Sequence, residues 1–224
     1  MSTIRNKEYA ASEAVCVLHK QLAVREALHP VPEKGGEKLA VLFPGTGYTC
    51  DRPLLYYARR MAEQNGCDVL PLSYSVSLKR GESDLNKAVR QTLTQVLPMV
   101  QDTLGEVLCR HAYRELFFFS KSFGTVAAGA VERALRLRVH QFFLTPLEAS
   151  LPYLAAHPCY ASCGTADPWV PDSVRRQFLG ISGVRFGLFP GANHSLEIPG
   201  DAEASVRDLQ MIAASYADFL REMP

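Results

Sequence analysis

From Lys38 onward, short continuous apolar runs alternate with longer stretches in which apolar residues recur every three or four positions, and Gly, Pro or Asp stands at most junctions. The continuous runs suit strands buried on both faces, and the longer pattern suits helices with one apolar face. Their alternation predicts a mostly parallel sheet with helices packed on its two sides. Strands are expected at residues 39–43, 68–74, 116–121, 139–145, 159–164 and 184–189. Helices are expected from Pro53 to near Gly66, over 83–109, directly after Ser122, from about Pro171, and over 202–221.

Local signals refine the helices. Pro53 fits a first helical turn, and Ser83 suits the N-cap of the long helix. Pro98 should kink or divide that helix, because it removes one donor and crowds the preceding turn. The small residues Ala127, Ala128, Gly129 and Ala130 let the helix after Ser122 pack closely against the sheet. Ahead of Lys38 the pattern is weak, and Val15/Val17 and Ala23/Val24 allow a leading hairpin within residues 1–36.

The apolar share, 47% of 224 residues, is enough for one well-buried core and suits a single domain over 1–224. A formal charge of +1 leaves no electrostatic footprint for nucleic acid. No apolar run reaches the length of a signal peptide or a membrane span, so a cytoplasmic protein is expected. The cysteines at 16, 50, 67, 109, 159 and 163 are scattered and pair with no second Cys or His cluster, as expected of reduced, mostly buried thiols rather than a metal site.

Chemistry concentrates where the run Leu116-Phe117-Phe118-Phe119 ends in Ser120-Lys121-Ser122-Phe123-Gly124 and passes into a helical pattern. A Ser-x-Ser-x-Gly segment between strand and helix fits a sharp turn that lifts the hydroxyl of Ser122 clear of the backbone, with small residues at 120 and 124. Three further loops follow predicted strands: Phe43-Pro44-Gly45-Thr46-Gly47, Gly164-Thr165-Ala166-Asp167-Pro168 and Gly191-Ala192-Asn193-His194-Ser195.

Taken together and in this order, these four motifs resemble the α/β-hydrolase family, and the resemblance covers Lys38 to the C-terminus. It implies that Ser122 is the nucleophile, His194 its general base and Asp167 the acid that orients the imidazole. It also implies an oxyanion hole made by the backbone N–H groups of Phe123 and Thr46. Ser120 replaces the glycine usual before the nucleophile, and Pro44 stands where the family often has histidine. Glu148, after the preceding strand, is the rival acid, and Ser120 is a rival nucleophile by residue type. Lys121 reads as a solvated side chain, and Tyr48 and Trp169 as rim or packing aromatics.

Only residues 146–158 fill the interval where larger relatives carry a cap, so the resemblance implies a compact, cap-less member with an open cleft, similar to dienelactone hydrolases and small esterases. The implied activity is hydrolysis of a small-molecule carboxylic ester or thioester through an acyl-enzyme, with no cofactor. Acyl transfer on the same residues and a non-catalytic binding role on the same scaffold are the alternatives. An unperturbed His194 would give a rate that rises with pH near ~6.5.

Overall fold

A computed structural model describes residues 36–78 and 84–222. Cys16, Ser83 and the hairpin suggested ahead of Lys38 fall outside these residues, apart from Gly36. Six strands form one parallel sheet: β1 Lys38–Phe43, β2 Cys67–Pro71, β3 Glu115–Lys121, β4 His140–Leu144, β5 Cys159–Gly164 and β6 Val184–Phe189, in the spatial order β2-β1-β3-β4-β5-β6. The helices are α1 Pro53–Gln64, α2 Leu85–Arg110, α3 Phe123–Leu135, the single turn α4 Leu151–Leu154, α5 Asp172–Leu179 and α6 Ala202–Glu222.

Period-two alternation divides the core between the two faces of the sheet. Leu42, Phe117, Phe119 and Phe142 face α1 and α6, where the rings of Phe119, Phe142, Tyr160, Tyr216 and Phe219 pack with centroids 4.9–6.0 Å apart. Val41, Phe43, Leu116 and Phe118 face α2 and α3. Phe143, Cys159, Ala161 and Cys163 meet Val174 and Phe178 of α5. Burial on both faces is what the unbroken apolar runs encode.

Pro98 does not divide the long helix. Helix α2 runs unbroken through it. Pro98 and Thr94 are both exposed, so the carbonyl that loses its donor faces solvent and can bind water. Its first turn is capped by Asp84, which accepts a hydrogen bond from the Lys87 N–H at 2.8 Å. Cys50, Cys67, Cys159 and Cys163 are free and buried. Among the described residues no helix is long and apolar enough to cross a membrane.

The sheet order reverses between β1 and β3, because the chain leaves β1 toward β2 and returns on the other side. In parallel sheets this switch point opens a crevice at the carboxyl ends of the strands. Ser122 follows β3 and the Pro44–Tyr48 loop follows β1, so both flank it.

Candidate active site

Ser122 links β3 to α3 with φ 55° and ψ −120°. A non-glycine residue in this region costs roughly 1–3 kcal/mol, and the turn it forces is the sharp elbow read from the sequence. Gly124 is required there: a Cβ would fall 2.3 Å from the Phe43 carbonyl oxygen and 2.6 Å from that of Pro44. The close approach is thus between the start of α3 and the end of β1. Ser120 lies fully buried within β3 and donates to the Phe142 carbonyl at 3.2 Å, which ties up the rival hydroxyl.

The loops after β5 and β6 are bound together. Ala166 N–H donates to the Ala192 carbonyl at 3.0 Å, and Gly191 N–H donates to Thr165 Oγ1 at 2.8 Å. Gly164 permits this contact, since a Cβ there would sit 2.0 Å from the Ala192 oxygen. Arg175 of α5 holds the first loop from behind by donating to Val170 O at 2.6 Å and to the Asp172 carboxylate.

These loops bring Asp167 and His194 to the elbow. Asp167 Oδ2 lies 2.7 Å from His194 Nδ1, and His194 Nε2 lies 2.8 Å from Ser122 Oγ. The carboxylate can only accept, so Nδ1 carries the proton and Nε2 accepts from the serine hydroxyl. The second carboxylate oxygen accepts from the Trp169 N–H at 2.9 Å. Glu148 is elsewhere: it is exposed on the 3₁₀ turn Glu148–Ser150 and accepts from Asn86 Nδ2 at 2.9 Å.

No family model matches the chain, and no curated protein matches its sequence. Solved structures match its shape. A predicted CIB-like hydrolase from Thermoplasma acidophilum aligns at 18% identity with a TM-score of 0.59, covering 86% of this chain and 90% of the other. Est1E from Butyrivibrio proteoclasticus, solved with ferulic acid bound, gives 13% and 0.59, covering 86% and 92%. Mouse α/β hydrolase domain-containing protein 10 gives 11% and 0.57, covering 85% and 92%. The chain has the α/β-hydrolase fold.

Among the described residues no large cap interrupts this α/β-hydrolase fold: between β4 and β5 stand only the 3₁₀ turn and α4, whose Tyr153 ring occupies the space that a Cβ at Gly129 would need. Gly129 therefore serves helix packing rather than contact with the sheet. Even without a cap, the candidate nucleophile is little exposed among the described residues. Ser122 is only 4% exposed. After β2, Tyr74 meets the Phe123 ring edge-on, with centroids 6.0 Å apart, and donates from its hydroxyl to Pro44 O at 2.8 Å, closing one side. On the other side Trp169 stacks on the His194 ring, with centroids 5.5 Å apart.

The N–H groups of Phe123 and Thr46 have no acceptor among the described residues. Phe123 opens α3, where an N–H lacks an intrahelical partner. Thr46 sits in a turn closed by reciprocal hydrogen bonds between Gly45 and Tyr48, at 2.9 and 3.3 Å. A cavity of about 610 Å³ lies beside the His194 loop, between Pro53, Ile198 and Val206. It borders the site through Asn193 and Ser195, but Ser122, Asp167 and His194 do not line it.

Lys121 contradicts its reading as a solvated side chain. It is 1% exposed and lies over the Tyr48 ring, with its nitrogen 5.0 Å from the centroid. As the last residue of β3 it continues the face of Phe117 and Phe119, and that alternation was the available signal. Burial drives its pKa down to about 7. His194 falls to about 4, through burial first and the Lys121 charge second, against the pull of Asp167.

Proposed function

We propose that the protein is a serine hydrolase that cleaves a small carboxylic ester or thioester through an acyl-enzyme on Ser122. The observation that carries this reading is the hydrogen-bonded row from Asp167 through His194 to Ser122, with contacts of 2.7 and 2.8 Å. In the first half-reaction Ser122 Oγ attacks the carbonyl carbon and His194 Nε2 takes the hydroxyl proton. Asp167 stabilises the imidazolium that forms. The oxyanion then collapses, the carbon–oxygen or carbon–sulfur bond breaks, and His194 returns the proton to the leaving group. Water repeats the sequence on the acyl-enzyme and releases the acid.

The N–H groups of Phe123 and Thr46 are the donors assigned to the oxyanion, each worth about 3 kcal/mol to the transition state. The neutral imidazole supports the role of base: His194 titrates at about 4, so it is ready to accept a proton throughout the neutral range. The acid limb of kcat/KM accordingly belongs near 4, lower than an unperturbed histidine would give.

The test is intact-mass analysis of protein quenched early in reaction with a p-nitrophenyl ester. An acyl adduct that maps to Ser122 and disappears as product forms is the expected result. Product formation with no adduct and unchanged rate in Ser122→Ala would refute the assignment. A stable adduct released only by an added alcohol or amine would point to acyl transfer.

A further inference from the structure

Trp169 is the one tryptophan of the chain, and it stands where Asp167 and His194 meet. A turn sets its place: the Val170 N–H donates to the Asp167 carbonyl at 3.3 Å, and Pro168 takes the second position, which suits its fixed φ. Val170 is fully buried, and its carbonyl accepts from Arg175 at 2.6 Å, so the turn is anchored beyond the tryptophan. The indole is partly buried against the apolar clusters that face α3 and α5.

From this position one residue touches both partners. The Trp169 backbone N–H donates to Asp167 Oδ1 at 2.9 Å, which leaves Oδ2 for His194 Nδ1 at 2.7 Å. The indole lies on the imidazole with ring centroids 5.5 Å apart and planes inclined by 28°. An aromatic face within about 6 Å attracts a cation, most strongly when the ring is tryptophan and water is excluded. A neutral imidazole gains only packing from the same contact. The stack is therefore worth more after proton transfer than before it, which is the condition for lowering a barrier. The other groups facing His194 are Ser122 at the elbow and Asp167 after β5, with the Lys121 charge at the end of β3.

We propose that Trp169 is a positioning residue whose indole face holds His194 against Asp167 and stabilises the imidazolium formed when Nε2 takes the Ser122 proton. The inference rests on reading Ser122, His194 and Asp167 as the reacting groups. Because the N–H that serves Asp167 belongs to the backbone, Trp169→Phe and Trp169→Leu alter the ring and keep that hydrogen bond.

The experiment has an optical and a kinetic arm. In the first, tryptophan fluorescence is followed against pH in wild type and His194→Gln. An imidazolium in contact with an indole quenches its emission, so the signal should fall as pH drops through about 4, and that step should be missing in His194→Gln. The same step in both proteins, or none in either, overturns the proposal. In the second, steady-state kinetics on one ester compare wild type, Trp169→Phe and Trp169→Leu, with thermal unfolding as the check of fold. Trp169→Leu should lower kcat by about tenfold and Trp169→Phe by less, with KM within a factor of about two. The acid limb of kcat/KM should move to lower pH in Trp169→Leu, because the charged imidazole has lost a stabilising face. If the indole merely covers the site, water reaches His194 in Trp169→Leu and the limb moves up, which overturns the proposal. A change confined to KM also overturns it and makes Trp169 a wall of the substrate cleft. A wild-type protein that cleaves no ester and yet shows the fluorescence step refutes the hydrolase reading and leaves the hold of Trp169 on His194 in place.

Discussion

Two histidines in this protein sit against carboxylates at the same distance, and they carry opposite tendencies. His194 meets Asp167 at 2.7 Å, and His157 meets Glu132 at 2.7 Å. The second ring nitrogen separates them. His194 Nε2 faces a serine hydroxyl, which can donate; His157 Nδ1 faces the Pro158 carbonyl at 3.1 Å, which can only accept. Two acceptors favour an imidazolium, and the Glu132 hydrogen bond raises the His157 pKa above the usual histidine value. Burial and Lys121 lower that of His194. A carboxylate beside a histidine therefore does not by itself set the ring's charge; the partner of the far nitrogen and the surrounding charge do.

The largest difference between the pairs should appear in turnover. Asp167→Asn should lower kcat by about 10⁴ with the fold retained, since it removes the acceptor that fixes the His194 tautomer. Glu132→Gln should leave kcat within a factor of about two, because the cluster of Glu132, His157 and Gln141 stands apart from Ser122. Equal losses in the two variants would erase the distinction. Steady-state kinetics on one ester checks both.

The next effect is on assembly of the row. Gly164→Ala places a methyl group 2.0 Å from the Ala192 oxygen, where backbone must move. Stability should drop by roughly 1–3 kcal/mol in denaturant unfolding. Activity should fall as well, because the loops that carry Asp167 and His194 are pushed apart.

The smallest effects are the pH slopes of stability, and they have opposite signs. Folded His194 binds fewer protons than the unfolded chain between about 4 and the usual histidine value, so stability falls as pH drops through that window. Folded His157 holds its proton longer than the unfolded chain. Its contribution is full below the usual histidine value and is lost as pH rises through the raised one. Urea unfolding across pH should show the acid-side loss flattened in His194→Gln and the loss above the usual histidine value flattened in His157→Gln. The same sign of change in both variants would contradict the contrast.

The strands and the row of Ser122, Asp167 and His194 were legible in the sequence because their signals are local. Apolar runs, a small-residue turn and Gly-containing loops at strand ends each mark a position, and the parallel topology then brings the ends together. What was not legible depends on neighbours far along the chain. Lys121 is charged and so reads as solvated, yet its strand register and the Tyr48 ring bury it. Trp169 stacks on His194 only after the loops after β5 and β6 have been joined. The closure of the site by Tyr74 involves a residue beyond the end of β2 and a carbonyl on Pro44, a contact with no sequence pattern. Pro98 reads as a kink or a division, yet the helix runs on through it on a side where Thr94 and Pro98 are both exposed.

The measurement that bears most directly on the central claim is labelling with a fluorophosphonate probe, followed by intact mass and peptide mapping, in wild type, Ser122→Ala and Asp167→Asn. The account predicts one adduct on Ser122, absent in the alanine variant and formed far more slowly in the asparagine variant. Wild-type protein that is folded and remains unlabelled, or is labelled at another serine, would contradict the claim that His194 and Asp167 activate Ser122.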